Sequence, residues 1–454
     1  MGFKSDDQSK AAIPAWRRWA IAACMFLTIA AIGFLEPFVP LYLELSGLKR
    51  GQIGLVTGIG ASLALLIQPF LGRLSDRLDA RRPLMFAAAV LAGCAYLSYT
   101  RTSSLIPFVL LTGMGINGIM YLNTGSAALV GRLASSQGNS PQGGGLYASY
   151  RVWGSIGYVV VSLLAGWLLS QRLGTQGTMS REAIAPLFVY GPLLFFLIAG
   201  VVFLLPDPKK HELVSSPSSY SDLNDEDSPE QRVSALNLRR FLTAYFLYFF
   251  AYTGSAAYLS LHLKSLGATP MWITGVFATG VLCEAIIMSQ AGRLSDRFGR
   301  RPLLALAFAF MPMRLLLYVP ATGPLWVLCV QTIHGINFGI MVAVAVAFVN
   351  DLCTEHNRGA AQAKLVGTAG FASAFGPAVG GWIAQQFGIP WTFAVMSCVA
   401  AAGASVFLWR VRESHTQAKR LYHYGPACLR PVFGVLCVPM AWLSRRPKLR
   451  READ

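Results

Sequence analysis

Twelve stretches of this sequence are each apolar for roughly 20 residues. That is the length a helix needs to cross the ~30 Å hydrocarbon core of a bilayer with every backbone N–H and C=O bonded inside its own segment. The stretches fall near residues 17–43, 51–71, 83–100, 104–130, 146–170 and 185–205, and then 239–263, 271–291, 302–320, 324–350, 360–386 and 391–409. Residues are 54% hydrophobic and only 13% charged, about half the charge of a soluble domain. The first stretch follows Arg17 and Arg18, as a secretory signal would. It is too long for one, carries Glu36, and ends in Pro37 and Pro40 rather than at a small-residue cleavage site, so it reads as helix 1. The fold class expected is an all-α membrane protein of twelve transmembrane helices.

A net charge of +17 invites a nucleic-acid reading, but its distribution argues otherwise. Threading the spans alternately puts six of the 38 Lys and Arg on the far side: Lys49, Arg50, Arg101, Arg172, Arg181 and Lys264. Arg314 lies within a span, and the remaining 31 share the side of the N-terminus. Positive charge gathers on the cytoplasmic side of membrane proteins, so both termini are expected there, in a cytoplasmic (inner) membrane. The basic residues then answer anionic lipid rather than nucleic acid. The eight Cys form no CxxC pair and no His cluster has metal-ligand spacing, so neither a disulfide framework nor a metal site is expected, and no cofactor.

Internal repetition divides the chain. GRLSDR occurs at Gly72–Arg77 and again at Gly292–Arg297, an offset of 220, and the same offset relates GIN at Gly115–Asn117 to GIN at Gly335–Asn337. GWLLSQRLG from Gly166 is echoed by GWIAQQFG from Gly381. The organisation expected is a six-helix half over residues 1–205, a cytoplasmic linker rich in Pro, Ser and acids over 206–238, a second six-helix half over 239–410, and a basic cytoplasmic tail over 411–454. Within the tail, Pro431 to Leu443 is apolar but too short to span, and reads either as an interfacial segment held by anionic headgroups or as disorder. Parallel duplicated halves suit a transporter that rocks about a central site.

The repeated element reads GRLSDRLDARRPL from Gly72 and GRLSDRFGRRPL from Gly292, each between two apolar spans. It resembles the loop signature of the major facilitator superfamily, between helices 2 and 3 and between helices 8 and 9. The resemblance implies the major facilitator fold and assigns Gly72, Asp76, Arg77, Gly292, Asp296 and Arg297 to a conformational latch, in which charge-assisted bonds hold neighbouring helix ends in one state. YASYRVWGSIGY from Tyr147, GVLCEAIIM from Gly280, the intramembrane Arg314 and QTIHGINFGIM from Gln331 are similar to motifs of the phenylpropionate permease and nucleoside–proton symporter branch. Ala148 departs from that pattern, where Gly follows the Tyr.

Ionisable groups inside spans are costly, which makes each a functional candidate. Glu284 in helix 8, Arg314 in helix 9 and His334 in helix 10 are the expected proton-coupling set, with Glu36 near the far end of helix 1 as a further member. A buried pair that only fixes helix packing is the alternative. By rise per residue, Glu284 and Arg314 differ in depth by about 10 Å, so direct contact is not required. Asn117 and Asn337, matched by the repeat, sit at the centres of helices 4 and 10, where an amide suits either a polar substrate or interhelical bonding. With Gln331, Tyr121 and Trp153 they are the candidate substrate-binding residues. Tyr245, Tyr248 and Tyr252 add polar-tipped aromatic surface.

These features point to a secondary active transporter, a monomer moving a small organic solute by alternating access with proton coupling. Uptake by symport and efflux of amphiphiles by antiport both fit. A membrane enzyme would need a nucleophile with its base or a metal site. A channel would need a filter or charged ring, and ATP drive a P-loop; the sequence offers none of these.

Overall fold

The computed structural model describes residues 15–78, 80–136, 144–174, 177–205, 229–354 and 357–414. Sixteen α-helices run in order: α1 (Ala15–Leu35), α2 (Val39–Leu45), α3 (Arg50–Leu78), α4 (Arg81–Ser98), α5 (Leu105–Ser136), α6 (Gly144–Leu173), α7 (Arg181–Ile184) and α8 (Leu187–Val202), then α9 (Pro229–Ala256), α10 (Leu259–Ser265), α11 (Pro270–Phe298), α12 (Arg300–Tyr318), α13 (Pro324–Gln331), α14 (Ile340–Asp351), α15 (Arg358–Gln386) and α16 (Ile389–Arg410). No strand occurs among the described residues. The duplication seen in sequence is present in backbone: α2 and α3 recur as α10 and α11 at an offset of 220. Most of the expected linker and the tail from residue 415 lie outside the described residues.

Ten stretches of the described residues are long and apolar enough to cross a membrane. Helices α9 and α15 are as long but less apolar. Charged and polar residues fill the first turns of α9, while α15 is built largely of Gly, Ala and Ser. Small side chains lower hydropathy while allowing backbones to meet closely, and α15 packs against both α3 and α9. Large apolar side chains such as Phe70, Ile106, Leu316, Val366 and Trp167 stand exposed around the bundle, the pattern of a surface that meets lipid rather than water.

Three expectations are corrected by the backbone. Span 1 is two helices, broken at Glu36–Pro37–Phe38, because Pro37 cannot donate a ladder bond. Helix α9 begins at Pro229, ten residues ahead of the expected start of span 7. The GRLSDR elements are not loops; they form the last turns of α3 and α11, each 29 residues long. At 1.5 Å per residue such a helix exceeds a ~30 Å core by roughly 10 Å, so its end projects beyond the hydrocarbon.

We call the face where α1 begins and α16 ends the terminal face. The two repeats meet along α3 with α15 and α6 with α11, and they close at the opposite face. There Tyr258 Oη donates to Arg50 O (3.3 Å) and Pro377 O (2.9 Å), and Gly51 N donates to Gln385 Oε1 (3.1 Å). Glu44 accepts from Lys264 of the second repeat at 2.9 Å and lies 3.6 Å from Arg50. Glycine makes the approach possible: a Cβ on Gly54 would stand 2.6 Å from Tyr258 Oη and 2.9 Å from Pro377 C, and one on Gly380 would stand 2.9 Å from Gly254 C. Towards the terminal face, Gly72, Gly292, Gly359 and Gly367 have open space at the same position.

Gly54→Leu is therefore expected to load about 1–3 kcal/mol of overpacking onto this seam or to part it. Spin labels at Lys49 and Ser265, both exposed and on opposite sides of the seam, should show a longer distance in the variant. An unchanged distance with unchanged thermal stability would contradict the packing described.

Candidate functional site

A cavity of about 190 Å³ lies between the two repeats. From the first repeat it is lined by Ile29, Ile32 and Glu36 of the α1 segment and by Arg151 and Tyr158 of α6. The second repeat contributes Tyr252 and Ser255 of α9, Glu284 of α11, Arg314 and Tyr318 of α12, and Gln331, His334 and Phe338 around the α13–α14 junction. All four residues expected to couple protons therefore face one space.

The polar groups form two clusters. In the second repeat, Arg314 Nη1 is hydrogen-bonded to His334 Nδ1, and His334 Nε2 stands 3.8 Å from Glu284 Oε2. A guanidinium only donates, so Nδ1 must accept and the ring hydrogen sits on Nε2, directed at the Glu284 carboxylate. The imidazole thus spans the depth difference between Glu284 and Arg314 that rise per residue anticipates. Arg314 also lies over the rings of Tyr252 (5.9 Å) and Tyr318 (6.0 Å), and the Tyr318 hydroxyl donates to Gln331 Oε1. In the first repeat, Tyr158 Oη donates to Glu36 Oε2 at 2.9 Å, joining α6 to the break after α1. Arg151 Nη1 and Arg314 Nε are buried without a hydrogen-bond partner among the described residues.

Local backbone explains how His334 reaches this position. Between α13 and α14, Gly335–Gly339 forms a π-helical turn, so residues on either side face different directions from those an unbroken helix would give. Gly335 packs on the α11 backbone, where a Cβ would stand 2.5 Å from Cys283 C. The residue after that contact point is Glu284. The imidazole then stacks against Phe338 at 5.1 Å and Tyr252 at 5.9 Å.

Not every candidate belongs to this cavity. Gln331 lines it; Asn117, Asn337, Tyr121 and Trp153 do not. Asn117 Nδ2 donates to Gly113 O of its own helix at 2.7 Å, while its backbone carbonyl accepts from Gln68 Nε2 of α3 at 2.9 Å. Asn337 is fully buried with Nδ2 3.0 Å from Met311 Sδ. Both amides sit at helix–helix contacts. Tyr121 is buried in the core, and Trp153 meets Trp19 edge-on at 5.8 Å. Of the three tyrosines on α9, Tyr252 lines the cavity while Tyr245 and Tyr248 pack in the core.

Sequence reasoning passed over Arg151 and Tyr158. Arg151 stands inside an apolar span, Tyr150–Leu173, one residue from its start, where it is easily counted with the charges of the terminal face. Its signal was the cost of an ionisable side chain so near hydrocarbon.

The latch candidates lie at the terminal face, away from the cavity. Gly72 and Arg77 are on α3, and the Asp76 side chain is outside the described set. Gly292 and Arg297 are exposed on α11, with the Arg297 guanidinium 5.4 Å from the Phe298 ring centre. Asp296 accepts from Arg300 Nη1 at 2.5 Å, and the same guanidinium reaches Asp351 of α14 at 3.2 Å. These are bonds within one repeat.

The MFS_1 like family matches residues 18–395. The chain belongs to that family. Its members here are transporters, and this protein is a multi-pass membrane transporter rather than an enzyme. It is similar to the maltose permease of Geobacillus stearothermophilus, 27% identical over 86% of this chain and 94% of the relative. It is also similar to the multi-drug resistance efflux pump PmrA of Streptococcus pneumoniae, 24% identical over 83% of this chain and 91% of the relative. In fold it matches the nucleoside transporter NupG with a TM-score of 0.67 at 13% identity, covering 87% of this chain and 98% of that one. A bacterial homolog of the human lysosomal transporter Spinster, in an inward-facing and unoccupied conformation, matches with a TM-score of 0.67 at 12% identity, covering 87% and 97%. In this MFS_1 like transporter the cavity is walled by residues of both repeats.

Proposed function

We propose that this protein takes up a small organic solute by proton-coupled alternating access, as a monomer in the cytoplasmic membrane with its terminal face to the cytoplasm. The observation that carries the reading is the array Arg314–His334–Glu284 on the wall of a cavity shared by both repeats. A carboxylate beside an imidazole and a guanidinium holds its proton according to how close those groups stand, and rocking of the repeats changes that closeness. Glu284 is the proton carrier in this reading, Arg314 and His334 tune it, and Glu36 is a second carboxylate held by Tyr158. The solute contacts Gln331 and the unpaired donors of Arg151 and Arg314. Similarity to a permease supports uptake. Similarity to PmrA favours a second reading, efflux by antiport, through the same residues.

Glu284→Gln keeps the shape and removes the titration. It is expected to abolish accumulation driven by a pH gradient in proteoliposomes while solute exchange at equal pH continues. Accumulation with unchanged pH dependence would make Glu284 structural and turn attention to Glu36. The sign of accumulation under an imposed gradient separates uptake from efflux.

The GRLSDR aspartates act on the state equilibrium in this reading, not on the solute. Asp76→Asn and Asp296→Asn should slow transport at least several-fold while leaving the Kd for the solute within a few-fold. Loss of equilibrium binding by folded variants would place them in the site instead.

The orientation rests on the large excess of basic residues on the terminal side over the six on the opposite side. A cysteine introduced at Ser218, between the repeats, should resist a membrane-impermeant maleimide in intact cells and react after lysis. Labelling in intact cells would reverse the topology.

A further inference from the structure

Four charged side chains line the cavity: Glu36 and Arg151 from the first repeat, Glu284 and Arg314 from the second. The second pair is balanced within its own wall. Arg314 and Glu284 are joined through His334, whose Nδ1 accepts from the guanidinium and whose Nε2 lies 3.8 Å from the carboxylate, so the two charges offset each other without a ligand. The first pair is not balanced. Glu36 is exposed to the cavity and accepts one hydrogen bond, from the neutral Tyr158 hydroxyl to Oε2, while Oε1 has no partner among the described residues. Arg151 keeps Nη1 buried and unbonded. No ion pair joins either side chain to another described residue.

Their separation is built into α6. Tyr158, which holds Glu36, stands about two turns beyond Arg151 on the same helix face, a rise of about 10 Å. A charge set against an apolar wall is costly, and across a gap of that kind mutual attraction does not replace a bonded counter-ion. A solute of one sign satisfies one end only: an anion meets Arg151 and is repelled by Glu36, and a cation does the reverse. A sugar-like solute brings hydroxyls but no charge to either end. One that carries an ammonium and a carboxylate satisfies both, and it adds no net charge to a low-dielectric space. Ile29, Ile32, Phe277 and Phe338 on the remaining wall suit the carbon skeleton of such a molecule.

Resting on the reading above that this cavity receives the solute, we propose that the solute is zwitterionic, an amino acid whose ammonium bonds to Glu36 and whose carboxylate bonds to Arg151. The test is equilibrium binding to the full chain in nanodiscs at a single pH, by calorimetry, with glycine, γ-aminobutyrate, ω-aminohexanoate, hexanoate and hexylamine as probes. At least one zwitterion should bind about tenfold or more tightly than hexanoate and hexylamine, since its second charge adds a charge-assisted bond. The chain length that binds best reports the span between Glu36 and Arg151. Glu36→Gln should weaken that zwitterion about tenfold or more while leaving hexanoate unchanged or tighter, and Arg151→Gln should do the same with hexylamine in place of hexanoate. Retained binding of the single-charge probe shows that each variant is folded. Hexanoate or hexylamine binding as tightly as the zwitterions, no probe binding at all, or a preference for zwitterions that survives in both variants overturns the proposal. Binding at one pH involves no gradient, so failure of proton coupling in the Glu284→Gln experiment leaves this result standing, and failure here leaves proton coupling standing.

Discussion

Hydrocarbon offers no partner to a backbone N–H or C=O, and this one deficiency organises the whole molecule. Regular helix is the only cheap conformation at depth, so every departure from it needs shelter. Departures among the described spans include the break at Glu36–Phe38, its repeat-related counterpart at Ala257–Tyr258, the π-turn at Gly335–Gly339 and the break at Ala185–Pro186. The first three adjoin the cavity, through Glu36, through Ala256 and Leu259, and through His334 and Phe338. Much of the irregular backbone therefore lines an internal space, and those breaks bring polar side chains to its wall.

The polar groups obey the same constraint. An arginine at the centre of a membrane helix costs about 2.5–3.5 kcal/mol even by insertion measurements. Arg314 offsets that cost with His334, two tyrosine faces and the nearby Glu284 rather than with one direct carboxylate. The imidazole thus stands between the guanidinium and the carboxylate, with its hydrogen committed to the Glu284 side by the bond on the other nitrogen. Donors left over, Arg314 Nε and Arg151 Nη1, each represent roughly 1–3 kcal/mol of unmet hydrogen bonding. Acceptor oxygens on a ligand in the cavity can recover it.

Much of this was legible in the sequence, and the illegible part has a common cause. Apolar runs and the repeated GRLSDR carry the class and the duplication, because length and identity survive without coordinates. Glu284, Arg314, His334 and Glu36 could be picked out because charge within hydrocarbon is rare whatever its direction. Asn117 and Asn337 could not be judged that way: an amide is tolerated both in a cavity and between helices, and only its azimuth decides. The π-turn adds to the difficulty by rotating α14 relative to α13, so that a helical wheel drawn through residues 324–350 mispoints half its members. Arg151 was passed over although it stood five residues inside the span 146–170, because a long side chain in the first turns of a span can run either to the interface or inward.

Magnitudes also decide what closes the opposite face. Glu44, Arg50 and Lys264 form the visible charge cluster there, but their side chains are a quarter to a third exposed. Pairs of that kind contribute about 0–1 kcal/mol each and weaken with salt. The glycine contacts at Gly54, Gly380 and Gly381 bring α3, α9 and α15 to backbone distance and remove water from the Tyr258 bonds to Arg50 and Pro377. A single side chain inserted there costs more than the ion pairs return. Shape therefore sets the strength of the closure, and the charges set its register, since Glu44 of one repeat can meet Lys264 of the other in only one alignment. A seam of that kind is firm while closed yet separable along smooth backbone.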